Sequence, residues 1–364
     1  MLSQRGKATP GAVAVALCLA LAGCGLPGLL RPAPPAPPKD ALIPPSLRFT
    51  LRDGMRLPAR AWLPAPGMPW RGVILALHGF TDSRDAWEIP APRFTGAGYA
   101  LYAPDQRGWG AAPDRGRWAG GDRMASDAGE IVRQLRARHP GLPVVVMGES
   151  MGGAVATVLA ARPDAPQDAT VLLAPAVWGT DSRSATLAAV LGAINAVAPD
   201  WAPDPGRANL PILASDNIAA LRRLGSDPLS LTNPKISMTE GLVTLMRQAQ
   251  AAMPALHGRV LILAGRRDQL VAPAATASAW AALPPGVRRA FYPHGYHLLA
   301  RDTARDLVID DILAWLAMPD AWLPSGADAA AAAWRAGAPW QGGPSVLLPA
   351  TGDDTDFKPD VWPY

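Results

Sequence analysis

Gly148-Glu149-Ser150-Met151-Gly152 sets a serine between two glycines, directly after the apolar run Leu142–Met147 and before a helical stretch, Gly152–Ala161. A strand, a Gly-x-Ser-x-Gly turn and a helix in that order hold a serine hydroxyl on a sharp bend above the end of a sheet. The free N–H groups and dipole of the helix that starts there favour developing negative charge. A hydroxyl becomes a useful nucleophile only when a base takes its proton and an acid orients that base. The chain contains five histidines. His139 ends a helix beside Pro140, His257 falls in a loop, and His78, in His78-Gly79-Phe80, is suited to bracing a loop by a structural hydrogen bond. His294 and His297 lie together in Tyr-Pro-His-Gly-Tyr-His-Leu-Leu; His297, just before an apolar helix start, is the expected base, with His294 a structural loop residue. Asp268 directly follows the run Val260–Ala264 and a Gly265-containing turn, where it can orient that base. Without a serine and a histidine in sequence order, it would read as an ordinary turn or capping aspartate.

The remaining requirement is a pair of donors for an oxyanion. One is the backbone N–H of Met151, after the nucleophile; the other is expected from the loop after the first buried strand, at Phe80 N–H, with Gly79 permitting close approach. These positions need strand ends to hold them. Gly72–Leu77, Tyr99–Ala103, Leu142–Met147, Ala169–Leu173, Val260–Ala264 and Arg289–Tyr292 have the pattern of buried strands, and Ser46–Leu51 with Arg56–Leu63 flank a hairpin signal at Asp53-Gly54. Helical patterns at Ala125–His139 and Asp302–Leu316 complete a strand–helix alternation, which predicts an α/β fold with a mostly parallel sheet covered on both faces. The order Ser150, Asp268, His297 is that of α/β-hydrolases. Residues 176–256 interrupt the rhythm without a clear buried strand, but with helical patterns near Ala185–Val197 and Gly241–Ala252. They are expected to form an inserted helical cap, so that the hydrolase domain spans 46–318. The extension 319–364, rich in Ala, Gly, Pro and Trp, suggests no function.

Composition narrows the partners. Of 364 residues, 49 % are hydrophobic and 18 % charged, which excludes whole-chain disorder. The longest apolar run is far short of the ~20 residues a membrane-spanning helix needs. Arg5 and Lys7, the apolar stretch Ala12–Ala22 and Leu21-Ala22-Gly23-Cys24 describe a secretory signal over residues 1–23, and the cysteine after Leu-Ala-Gly makes it similar to a bacterial lipoprotein signal, which implies lipidation of Cys24. Gly25 rather than Asp after that cysteine favours the outer membrane. With Cys18 in the removed part, no internal disulfide can form. Residues 24–45, dense in proline, are a stiff tether reaching at most ~60 Å. Removing the signal leaves 32 basic residues against 30 acidic, which is no footprint for nucleic acid.

His-Gly-Phe at 78–80, Asp105-Gln-Arg-Gly-Trp-Gly, Gly-Glu-Ser-Met-Gly-Gly, the cap, Asp268 and His297 together resemble the monoacylglycerol lipase and lysophospholipase branch (serine aminopeptidase-like) of the α/β-hydrolases, over residues 46–318. The resemblance implies hydrolysis of single-chain acyl glycerols or related lipid esters through an acyl-enzyme, with no metal or organic cofactor. In it Asp105, Arg107 and Gly108 match a structural turn. The chain departs from the branch in carrying Glu149 where His is commoner, and in its tether and tail. A proline-type aminopeptidase on the same triad, and a non-catalytic lipid-binding envelope protein on the same scaffold, are the competing expectations. The first would need an acidic cluster for a free amine, and the cap's six acidic and six basic residues single none out.

Overall fold

Along Gly72–Leu77 (β3) successive side chains enter opposite layers: Val73, Leu75 and Leu77 join one core cluster, Ile74 and Ala76 the other. The period-two geometry of a strand explains why a strand covered on both faces is apolar at every position. The structure is a computed structural model and describes residues 43–203 and 212–337. The signal 1–23, Cys24, most of the tether, residues 204–211 of the cap and 338–364 of the extension lie outside the described residues.

The eight strands are Leu47–Thr50 (β1), Arg56–Trp62 (β2), β3, Tyr99–Pro104 (β4), Val144–Glu149 (β5), Ala169–Leu173 (β6), Arg259–Gly265 (β7) and Arg288–Tyr292 (β8). They form one sheet in the order β1-β2-β4-β3-β5-β6-β7-β8. β1 and β2 run antiparallel, as does β2 against β4; every pairing from β4 to β8 is parallel. The order in which strands are added reverses between β3 and β5, parallel neighbours in the sheet, so the loops after both strands meet at its carboxyl end, the position where open parallel sheets hold their ligands.

One face is covered by Gly121–Arg138 (α2), Met151–Ala160 (α3) and Ile236–Ala252 (α6); the other by Ala91–Gly96 (α1) and Arg305–Ala317 (α8). Between β6 and β7 lie Ser182–Val197 (α4), Ile218–Ser226 (α5) and α6, with Pro273–Ala281 (α7) following β7. The insertion divides in two. α4 leaves Leu187 and Val197 exposed, whereas α6 buries Met238, Leu245, Met246 and Ala249 and packs against α3, so that it belongs to the helical layer of the sheet. The helix expected at Asp302 begins at Arg305, because the Asp302 carboxylate is turned inward to Ser215 and Tyr296.

Part of the extension is built into the domain. Ala327–Arg335 (α9) lies on β8, and Trp334 stacks on Phe291 at 4.8 Å and meets Trp280 edge-on at 5.1 Å. Asp328 accepts from Arg288 at 2.7 Å, and Asp311 of α8 accepts from the Tyr292 hydroxyl at 2.9 Å and from Ser325 N at 3.0 Å. Offset aromatic contacts and burial of this kind hold a half-buried tryptophan with about 2 kcal/mol. Trp334→Ala is therefore expected to lower the unfolding free energy by roughly 2 kcal/mol in urea titration; an unchanged midpoint would mean that α9 only rests on the sheet.

Candidate active site

Gly148 closes the last apolar strand residues and Gly152 opens the first turn of α3. A Cβ at Gly152 would overlap the Leu77 carbonyl oxygen, and one at Gly148 would overlap the backbone of Gly152 and Gly153. The helix can approach the sheet this closely only with glycine at both places. Between them Ser150 has φ 54° and ψ −117°, a conformation that side-chain-bearing residues rarely adopt. The turn is pinned on both sides by backbone: Ser150 N donates to Leu173 O at 3.0 Å, and Ser150 O accepts from Ala176 N at 3.0 Å.

Two strands away, Asp268 and His297 meet directly. His297 Nδ1–H donates to Asp268 Oδ2 at 2.8 Å, while Asp268 Oδ1 accepts from Leu270 N at 2.8 Å and Val271 N at 3.0 Å. Arg267 N donates to Gly295 O at 2.9 Å and Arg266 N to Tyr292 O at 3.0 Å, tying the loop after β7 to the loop that carries His297. Burial alone would favour the neutral imidazole, but the Asp268 carboxylate, with help from Glu149, outweighs it and holds the His297 pKa above its ordinary value. Burial would likewise raise Asp268; the facing imidazole and the two backbone donors win and hold it below the usual carboxylate range. Among the described residues neither Ser150 Oγ nor His297 Nε2 makes a hydrogen bond, so the donor and acceptor that a triad joins are both uncommitted.

Gly79 faces the nucleophile turn, with its ideal Cβ position 3.6 Å from Ser150 Cβ. The N–H groups of Phe80 and Met151 find no partner among the described residues. The loop is braced from behind. His78 is fully buried; its Nδ1–H donates to Gly79 O at 2.8 Å and its Nε2 accepts from Gln106 N at 3.0 Å, which requires the neutral ring, in keeping with a pKa pushed down by burial. Gln106 Nε2 donates to His78 O at 2.8 Å, and Trp109 Nε1 donates to Phe80 O. The Asp105–Gly110 turn is structural: Asp105 accepts from Arg84 N and Ala111 N at 2.9 and 2.8 Å, and Arg107 donates to Asp127 at 2.7 Å and Asp53 at 2.9 Å.

The other histidines are placed elsewhere. His139 shares a 2.8 Å hydrogen bond with the Tyr102 hydroxyl, His257 donates to Arg162 O at 2.9 Å, and His294 is exposed. Sequence reasoning did not find Arg301 or Asp82, both buried and both bonded at this edge. Nor did it find the segment 214–217, where Ala214 O accepts from Leu298 N at 2.9 Å, Ser215 Oγ donates to Asp302 at 2.6 Å, Asp216 accepts from Thr303 N at 2.7 Å and Asn217 donates to Arg301 O at 2.8 Å. The only signal available for the two charges was their position within five residues of Phe80 or His297.

The sequence pattern of the family described as Hydrolase_4, Serine aminopeptidase, S33, matches residues 69–304. The chain belongs to this family. The match begins just before β3 and ends just before α8, so it contains Ser150, Asp268, His297 and both oxyanion positions. Among its relatives, a monoacylglycerol lipase of Mycolicibacterium smegmatis is 28 % identical over 274 residues, 72 % of this chain and 93 % of that protein. The human monoglyceride lipase is 30 % identical over 229 residues, 60 % of this chain and 71 % of that protein. The fold is that of a solved Paleococcus ferrophilus monoacylglycerol lipase (TM-score 0.60, 21 % identity, 71 % of this chain and 98 % of that one) and of a soluble variant of Saccharomyces cerevisiae monoglyceride lipase (TM-score 0.63, 19 % identity, 78 % and 98 %). The α/β-hydrolase fold and the S33 assignment both agree with the expectation from sequence.

Two outcomes follow from the geometry. Ser150→Gly should relieve the strained turn, so it is expected to exceed Ser150→Ala in unfolding free energy by about 1 kcal/mol; a Gly variant no more stable than the Ala variant would show an unstrained bend. A base must be neutral to accept a proton, and the Asp268 carboxylate outweighs burial and holds the His297 pKa above its ordinary value. The acidic limb of kcat/KM is therefore expected above pH 6.5, activity being lost as pH falls through it; a limb at or below 6.5 would contradict the paired arrangement.

Proposed function

We propose that this S33 protein is a serine hydrolase that cleaves lipid-type carboxylic esters, such as monoacylglycerols or lysophospholipids, through an acyl-enzyme. The observation that carries the reading is the Asp268–His297 couple at the same sheet edge as a serine held on a strained turn at a helix start, in the chain order Ser, Asp, His. Asp268 fixes the imidazole with Nδ1–H inward, which leaves Nε2 as the acceptor. As Ser150 Oγ attacks the ester carbonyl carbon, its proton passes to His297 Nε2, and the carbonyl oxygen takes up negative charge opposite the Phe80 and Met151 N–H groups. Each such donor is worth about 3–4 kcal/mol of barrier. Collapse of the tetrahedral intermediate expels the alcohol, which receives the proton from His297. Water then attacks the acyl-enzyme by the same route, returning the acid and the free serine.

The lipid character of the substrate is supported by the names borne by the relatives above and by α4, which carries one charged residue in Ser182–Val197 and leaves apolar side chains outward. We also propose that Cys24 is the lipidated first residue of the mature chain and that residues 24–45 tether the domain at the envelope, on the periplasmic side of the outer membrane; the signal-like sequence before Cys24 supports this.

The test is a series of p-nitrophenyl esters of increasing chain length, a monoacylglycerol and a prolyl anilide, given to the full chain and to Ser150→Ala. Turnover peaking at medium or long acyl chains and falling at least ~10³-fold in Ser150→Ala is expected. Anilide turnover without ester preference would replace the reading with a peptidase, and absence of Ser150-dependent turnover would remove it.

A further inference from the structure

Glu149, the residue before the nucleophile, is 2 % exposed, and its Oε2 accepts from Arg301 Nη2. The same guanidinium, itself 5 % exposed, donates from Nη1 to Asp82 Oδ2 at 2.6 Å. Each of these three residues belongs to a different part of the site. Glu149 ends β5 and adjoins Ser150; Asp82 lies two residues beyond Phe80 in the loop after β3; Arg301 lies four residues beyond His297 in the loop after β8. One planar fork therefore touches the nucleophile turn, the oxyanion loop and the base loop at once.

We infer that Arg301 is a positioning residue of the hydrolase site, its guanidinium clamped between Glu149 and Asp82 so that the loop bearing His297 keeps its place against the Ser150 turn and the Phe80 loop. This rests on Ser150, Asp268 and His297 acting as the triad. The guanidinium has donors in a rigid plane and can hold two carboxylates in fixed directions, which a lysine ammonium on a flexible stem cannot. Its own loop is fixed at the backbone, Arg301 N donating to Leu298 O at 2.8 Å and Arg301 O accepting from Asn217 Nδ2 at 2.8 Å. Arg301 Nε and Glu149 Oε1 are buried without a partner. A cluster kept for stability alone would be expected to satisfy them, whereas a bridge constrained by three loops need not.

The cluster also sets the charge that the base faces. The charged groups acting on His297 are Asp268, Glu149 and Arg301: the carboxylates favour the imidazolium, and the guanidinium opposes it. Asp82 acts on Glu149 and on His78, and Glu149 in turn acts on Asp302. Exchanging the Glu149 carboxylate for an amide removes support for the imidazolium while Arg301 keeps Asp82. The base then stays neutral to lower pH.

The experiment compares Arg301→Lys, Arg301→Met and Glu149→Gln with the parent chain. Active sites are counted by stoichiometric fluorophosphonate labelling, and ester kcat, KM and pH profile are measured per labelled site. Expected are a 10- to 100-fold fall in kcat per site for both Arg301 variants with KM changed far less, and an acidic limb moved down by about half a pH unit in Glu149→Gln. A structural role alone would reduce the number of labelled sites and the melting temperature but leave kcat per site and the limb unmoved, which would overturn the inference. If an Arg301 variant does not fold, Glu149→Gln and the isosteric Asp82→Asn decide it: an unmoved limb in the first together with parent kcat per site in the second overturns it. Failure of the triad reading is separate, since it shows as turnover surviving Ser150→Ala in the parent background.

Discussion

At Gly152 the first turn of α3 lies against the carbonyl groups of Leu77 and His78, closer than any side chain would allow. Much of the site follows from that contact. It forces the chain to leave β5 through a bend too sharp for ordinary backbone, and Ser150 takes up the strain. It lays the free N–H groups of α3 beside the end of β3, next to the loop that carries Phe80. Gly79 faces Ser150 for the same reason. A strained residue persists only where its surroundings over-determine it, and here backbone hydrogen bonds to Leu173 and Ala176 do so from both sides.

Around that bend the protein commits charge to its interior. Arg84 and Asp105 are paired with no exposure of either side chain, and Arg301 is shared between two acids. Buried pairs of this kind add little net stability, because desolvation offsets the attraction, yet removing one partner is costly. Their placement is informative: Arg84–Asp105 holds the turn whose Gln106 and Trp109 brace the oxyanion loop, and Arg301 joins the loops that apolar packing alone would leave free to slide.

Most of the sheet was legible in the sequence, because a strand covered on both faces must be apolar at nearly every position; Gly72–Leu77, Leu142–Met147 and Val260–Ala264 announce themselves. The nucleophile turn was legible for a different reason, its glycines being demanded by close packing. α7 and α9 were not. Pro273–Ala281 and Ala327–Arg335 are alanine-rich, so their apolar faces carry little periodic contrast. α6 looked like part of the cap, since periodicity says that a helix has an apolar face but not what covers it. Asp82, Glu149 and Arg301 were hidden most deeply: a charged residue reads as surface unless its partner is known, and Arg301 lies 152 and 219 positions from its two partners in sequence.

The short segment 214–217, where the insertion returns to the domain, is stitched to residues 298–303 by hydrogen bonds of backbone and side chain. The two stretches therefore order together. The aim of the base is thus set partly by residues that the insertion supplies, and the Arg301–Glu149 bond carries that dependence to the turn of Ser150.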